Sequence, residues 1–365
     1  MNVDGQHYRT IWLSDDGVTV QVIDQRRLPH EFITTQLRTV EDAVDAIANM
    51  TVRGAPLIGA TAAFGVALGL RADPSEEGLL NAVRRLIDSR PTAVNLAWAA
   101  HEVANAVRPL PLAIRFAAAV KEAQRICEDD VASCLRIGEH GANLLAQLPV
   151  TGRPLQILTH CNAGWLAAVD WGTALAPVYR AHQRGMALHV WVDETRPRNQ
   201  GASLTAWELG QQGIPHTVIA DNAGGHLMQQ GKVDVCIVGA DRVAANGDVC
   251  NKIGTYLKAL AAFDNKVPFY AALPHSTIDW DMPSGAMIRI EERDPEEVHT
   301  MVGLDTHGAL SRVRVTPVGS AAANYAFDVT PARLLAGLIT ERGVGAASPQ
   351  GLAALYPNRA QTRKP

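Results

Sequence analysis

The sequence predicts an α/β protein: a mostly helical N-terminal domain with a small β element in front, then a Rossmann-like C-terminal domain with a mainly parallel sheet. Three observations carry this. From about residue 40 to 145, apolar residues recur at three- and four-residue spacing in Ala-rich stretches such as VEDAVDAIANM, PLIGATAAFGVALGL and LNAVRRLID. After Pro154 the texture changes to short apolar runs separated by helical stretches, the pattern of βαβ units. A chain of 365 residues also divides into two domains more readily than it forms one core. The expected units are 1–150, 151–345 and a loop-rich, peripheral tail over 346–365.

The elements follow in order. VTVQVI, residues 18–23, alternates as a strand does, and short extended pieces are expected near Phe32 and Ile33. Helix breaks fall at Arg53-Gly54-Ala55-Pro56, Asp73-Pro74 and Arg90-Pro91. Strands of the parallel sheet are expected at LQILTH, ALHVWVDET, HTVIAD, VDVCIVGAD, PFYAAL and RVTPV.

Composition removes several function classes. There are 33 basic and 37 acidic residues, with no Lys/Arg block, and only 5% aromatics. Nucleic acid is therefore not an expected partner. No window offers about 18 apolar residues free of charge, and MNVDGQHYRT lacks a signal-peptide layout, so no membrane partner is expected. Five cysteines, none in a CxxC pair, argue against structural zinc and a disulfide framework and suit a reducing cytoplasm.

The most informative stretch is VGADRVAANGDVCNKIGTYLKA, residues 238–259. A strand stops at a small-residue turn carrying Asp241; a Gly/Asn/Asp-rich loop follows, then Asn251 and Lys252 at an expected helix start. Strand carboxyl ends face the ligand crevice in open α/β sheets. A carboxylate there, with an Asn-Lys pair beside a helix N-terminus, suits a small phosphorylated substrate next to an acid/base group. The first βα turn carries His160-Cys161-Asn162-Ala163-Gly164 where a dinucleotide fold would carry GxGxxG, and the phosphate-binding GxxxxGK[ST] loop is absent. Nicotinamide and ATP cofactors are thereby disfavoured. Cys161, at a strand end, is either a base or nucleophile, or a buried small hydrophobe. The polar run Asp193 to Gly201 places Asn199 and Gln200 where sugar hydroxyls could bind, with Glu194 and Arg196 as structural ion-pair formers. Arg53 and Arg90 each stand beside a helix-starting signal, either as phosphate clamps or as surface arginines. No histidine pair has HExxH spacing, and no metal site is expected.

The segments RGAPLIG, SRPTAVNL, THCNAG, DETRPRNQGA, VGADRVAANGDVCNKIGT and PFYAALPHSTID occur in one order from residue 53 to about 280. Together they resemble the methylthioribose-1-phosphate isomerase family of methionine salvage, whose superfamily includes the regulatory subunits of translation initiation factor 2B. The resemblance implies an aldose–ketose isomerase that converts 5-methylthioribose 1-phosphate to the ribulose 1-phosphate. It implies Cys161 as the catalytic cysteine and Asp241 as proton donor. Arg53, Gly54, Ala55, Arg90, Gln200, Asn251 and Lys252 match the substrate contacts. It also implies a homodimer without metal or organic cofactor. The alternatives are an isomerase of 5-deoxyribose 1-phosphate or ribose 1,5-bisphosphate, and a non-catalytic regulatory subunit.

Overall fold

The structure is a computed structural model that describes residues 1–150 and 152–360. A two-stranded antiparallel sheet, Asn2–Val3 with Gln6–His7, opens the chain, and a three-stranded antiparallel sheet follows, ordered Ile11–Leu13, Val20–Ile23, Thr34–Leu37. Five helices follow: Val40–Ala48, Ala55–Ala72, Glu76–Ser89, Val94–Val107 and Leu112–Leu145. The second is buried continuously from Leu57 to Leu70, which requires a helix apolar all round at the centre of a bundle. It is the single helix among the described residues long and apolar enough to cross a membrane, and here its surroundings are the other helices.

The large sheet has seven strands, ordered Gly343–Gly345, Gly337–Thr340, Phe269–Ala272, Val235–Val238, Leu155–Thr159, Leu188–Asp193 and His216–Ile219. All neighbours pair in parallel except the edge strand Gly343–Gly345. Counting from Leu155–Thr159, the order is the doubly wound 3-2-1-4-5-6 with one added edge. Side chains alternate between faces. Ile157, Val235 and Ile237 join one core cluster, while Leu158, Cys236 and Val238 join another. Val169 packs with the helical cluster, and Met1, Val3, Ile23 and Leu28 pack with the sheet cluster.

Two local expectations are corrected. RVTPV, residues 314–318, is not a strand of the parallel sheet: only Arg314 lies in a strand, Leu310–Arg314, which pairs antiparallel with Thr300–Leu304 in a separate hairpin. The valines of RVTPV, Val315 and Val318, lie beyond that strand and are exposed, so the apolar signal came from a segment open to solvent. The sheet position goes to Gly337–Thr340, too short and glycine-led to stand out in the sequence. The segment from 346, expected to be peripheral, contributes Leu352 and Tyr356 to the core, while 361–365 fall outside the described residues.

Candidate active site

Cys161 follows the strand Leu155–Thr159, and Asp241 follows its neighbour Val235–Val238. These are strands 1 and 4 of the doubly wound order, so the two residues flank the point where the winding reverses. Loops diverge there and leave a crevice beyond the carboxyl ends. Both line one cavity, which also receives Arg53, Gly54, Ala55, Arg90, Gln200, Asn251 and Lys252. The nine residues implied by the family resemblance are brought together, while Asn199 is not among the residues lining this cavity.

Cys161 sits at φ 66°, a left-handed conformation that costs a non-glycine residue about 1–3 kcal/mol. Two threonines hold it there. Its N–H donates to Thr195 Oγ1 at 2.8 Å, and its carbonyl accepts from Thr205 Oγ1 at 2.7 Å. Glu208, fully buried in the helix Ala206–Gln211, anchors the residues that follow. Its Oε1 accepts from Asn162 Nδ2 (2.8 Å) and Leu166 N (3.0 Å); its Oε2 accepts from Trp165 N (2.9 Å) and Tyr179 Oη (2.6 Å). That carboxylate fills the space beside Gly164, where a β-carbon would overlap Oε2. The glycine of THCNAG is thereby explained.

Asn162 passes this order to Arg53, which donates one Nη to its side-chain oxygen and the other, at 2.6 Å, to its carbonyl. Arg53 owes its place to Gly54, the N-cap of Ala55–Ala72 at φ 93°, whose missing side chain lets the helix start pack on Ala167. Pro56 stands in the first turn, as expected.

Lys252 and Asn251 end the strand Val249–Lys252 rather than starting a helix; the helix Thr255–Asp264 begins after Gly254 at φ 99°. The loop expected between Asp241 and Lys252 is a hairpin, with Arg242↔Cys250 paired, and Asp241 N donating to Cys250 O at 2.9 Å. The second arm of that hairpin pairs with Phe327–Thr330. There the Lys252 ammonium lies 4.7 Å from the Phe327 ring centre and donates to Ala326 O at 2.9 Å. Arg90 closes the helix Glu76–Ser89 instead of opening the next one, which starts at Val94. Its Nη2 reaches Glu291 at 3.4 Å. Asn95 donates to Ser276 at 2.9 Å, tying SRPTAVNL to PHSTID.

The loop after Leu188–Asp193 turns through Thr195 (φ 68°) and Asn199 (φ 58°). Arg196 donates to the carbonyls of Pro197 and Val298, so the ion pair considered for Glu194 and Arg196 does not form. The side-chain oxygens of Asn199 and Gln200 are buried without a protein partner, and Gln200 lines the cavity. An orphaned amide oxygen costs desolvation unless a ligand hydroxyl meets it.

Electrostatics sharpen the picture. Burial pushes the Asp241 carboxyl above its ordinary value, against the opposing pull of Lys252, Arg90 and Arg53. Burial likewise raises the Cys161 thiol, with Arg53 and Lys252 pulling it back. Desolvation lowers both Arg53 and Lys252. Two cations held by neutral acceptors thus face two acids inclined to stay protonated. Such a cavity favours an anion and retains a proton to give it.

Behind it, His160 Nδ1 meets Asp193 Oδ2 at 2.9 Å and Nε2 meets Ile253 O at 2.8 Å. His160, Asp193 and Asp221 are close enough to hold a metal ion, their ligand atoms lying within 4.8 Å of one another. The Lys258 ammonium, 3.3 Å from Asp193, already supplies a cation there, and His160 is committed on both nitrogens. Glu208, Thr195, Thr205 and Phe327 escaped sequence reasoning. A lone Glu in TAWELG carries no signal of burial, and threonines at strand and helix ends are common caps.

The fold and this cavity define a member of the initiation factor 2 subunit family: the family's profile matches residues 51–347, and the chain belongs to it. Within that family the chain is similar to methylthioribose-1-phosphate isomerases. It is 61% identical to the one from Methylobacterium nodulans over 98% of this chain and 99% of the relative, and 60% identical to that of Rhodospirillum rubrum over 100% and 96%. Among solved structures, 5-methylthioribose 1-phosphate isomerase from Pyrococcus horikoshii superimposes with a TM-score of 0.82 at 43% identity, covering 97% of each chain. A structure described as translation initiation factor eIF-2B, subunit delta, from A. fulgidus gives 0.78 at 38% identity, covering 96% and 99%.

Proposed function

We propose that the chain is an aldose–ketose isomerase that converts 5-methylthioribose 1-phosphate to 5-methylthioribulose 1-phosphate in methionine salvage. One observation carries the reading: a thiol and an acid inclined to stay protonated line a single cavity with three cations. The substrate carries its phosphate on the anomeric oxygen, so its ring cannot open by loss of a hydroxyl proton. Opening needs an acid at the ring oxygen, and a buried carboxyl that keeps its proton suits that task. Asp241 is assigned this role. Arg53, Arg90 and Lys252 bind the phosphate, and Gln200 and Asn251 bind the sugar hydroxyls. The backbone of Gly54 and Ala55 packs against the substrate at the start of a helix.

Isomerisation then moves hydrogen from C2 to C1. Either the Cys161 thiolate takes the C2 proton and an enediolate forms, or hydride shifts directly while Cys161 supports a dry pocket. Solvent deuterium found at C1 of the product favours the first route. The reading includes a helical unit over 1–150, a catalytic unit over 151–345, a cytoplasmic homodimer, and no resident metal or organic cofactor. The family resemblance supports the dimer, and five buried free thiols support a reducing compartment.

Steady-state kinetics on 5-methylthioribose 1-phosphate, 5-deoxyribose 1-phosphate and ribose 1,5-bisphosphate test the reading. The first is expected to give the highest kcat/KM. Preference for either of the others reassigns the substrate, and turnover of none removes the isomerase assignment.

A further inference from the structure

Among the described residues three cations line the cavity, and only one of them bonds a carboxylate. Arg53 donates to Asn162 and Lys252 to Ala326 O, whereas Arg90 reaches Glu291. Glu291 is itself tightly fixed. Its Oε2 accepts from Thr92 Oγ1 at 2.9 Å and its Oε1 from Arg293 Nη1 at 2.8 Å. Arg293 continues to Glu297 at 3.0 Å, and Glu297 accepts from Arg198 Nη1 at 2.8 Å and Asn324 Nδ2 at 2.9 Å. Charges of alternating sign therefore run from the end of the helix Glu76–Ser89 to the loop that carries Gln200. Side-chain exposure along this ladder is 11% at Arg90, 19% at Glu291, 16% at Arg293 and at Glu297, and 31% at Arg198, so water screens it poorly.

We propose that Glu291 is a positioning residue of this site, holding Arg90 at the cavity wall and tying it through Arg293 and Glu297 to the Gln200 loop, so that phosphate-binding and hydroxyl-binding arms keep one spacing. The contact from Arg90 Nη2 to Glu291 is long at 3.4 Å, and Arg90 Nε is buried without a protein partner. Arg90 is thus tethered but not saturated, and it keeps donors for an incoming anion. Glu291 stays ionised: burial opposes this, but the charge of Arg90, the Thr92 hydroxyl and Arg293 overcome it. A ladder that served folding alone would tolerate loss of register at Arg90 without altering how the site binds its ligand.

The proposal rests on the isomerase reading for its kinetic arm only. Glu291→Asp keeps the charge but withdraws the carboxylate by one methylene. Inorganic phosphate binding, by titration calorimetry, and isomerase kinetics are measured for the wild type, Glu291→Asp, Arg90→Ala and the double variant. Glu291→Asp is expected to raise the phosphate Kd and the KM about tenfold while kcat stays within about threefold, the scale of one charge-assisted hydrogen bond misplaced at a non-reacting group. In the Arg90→Ala background the same change is expected to alter both by less than about twofold, because the effect passes through Arg90. Equal losses in both backgrounds, no loss in either, or a fall in kcat with KM unmoved overturn the proposal. Should Glu291→Asp fold poorly, Thr92→Val removes the other hydrogen bond on Glu291 Oε2 and is held to the same outcomes. A wild type that binds phosphate but does not turn over the sugar refutes the isomerase reading, and the phosphate cycle still decides the role of Glu291.

Discussion

Arg53 grips Asn162 twice, through the side-chain oxygen and, at 2.6 Å, through the backbone carbonyl. The residue gripped is the one that follows Cys161, so the cation from the helical bundle and the thiol from the sheet are set at a fixed separation. A guanidinium makes this fork and an ammonium cannot. Arg53→Lys is therefore expected to lower kcat/KM on the order of 10- to 100-fold with the fold intact. Steady-state kinetics with circular dichroism check this; a change within twofold would show that charge alone suffices.

Glu208 meets four donors, and every one of them needs an acceptor. Glu208→Gln replaces one carboxylate oxygen with a donor, setting N–H against N–H in a dry site. The expected cost is about 1–3 kcal/mol in urea unfolding, the penalty for a buried polar group left unpaired. Activity is expected to fall with it, since Asn162 loses its anchor. Tyr179→Phe removes one donor only and is expected to cost less.

Two glycines provide a paired test of packing. At Gly164 a methyl would overlap the Glu208 carboxylate, whereas at Gly210 its nearest neighbour would be His216 Cε1, 3.9 Å away. Gly164→Ala is expected to destabilise by about 2 kcal/mol or more, as overpacked cores do. Gly210→Ala, in the helix Ala206–Gln211, is expected to stabilise by up to about 1 kcal/mol. Thermal unfolding of both variants separates these outcomes.

Glu297 has a pH signature. Burial would raise its carboxyl, but hydrogen bonding and charge from Arg293, then Arg198 and Asn324, bring it down to about 2. A carboxyl lower in the fold than in the unfolded chain stabilises above its unfolded pKa, and that contribution fades as pH falls from about 4.5 towards about 2. Glu297→Gln is expected to cost on the order of 2 kcal/mol at pH 7 and progressively less below pH 4.5. Urea unfolding across that range checks the convergence; a cost independent of pH would assign the loss to packing.

Much of this molecule was legible in the sequence, for identifiable reasons. Strands such as Val235–Val238 are buried on both faces and read as unbroken apolar runs. Arg53, Cys161 and Asp241 stand beside strand ends or helix starts that Gly and Pro mark. What could not be read depends on distance rather than order. Asn251 and Lys252 lie in a hairpin whose Asn, Gly and Asp residues look like loop. Glu208 and Glu291 resemble any surface glutamate until the fold brings Asn162 to one and Arg90 to the other. RVTPV misled because the exposed segment that follows a hairpin strand carries spaced valines as a half-buried strand does.

In the proposed reaction Asp241 delivers the proton that opens a sugar 1-phosphate in the cavity it shares with Cys161. Its most direct test follows 5-methylthioribose 1-phosphate by NMR with the wild type and with Asp241→Asn, substrate binding being measured in parallel. The expected result is ketose 1-phosphate from the wild type, and a variant that binds the sugar but turns it over roughly 100- to 10,000-fold more slowly, the range of a lost general acid. An Asp241→Asn enzyme that keeps more than about a tenth of the wild-type rate would contradict the account, since the loss would lie below any general-acid contribution.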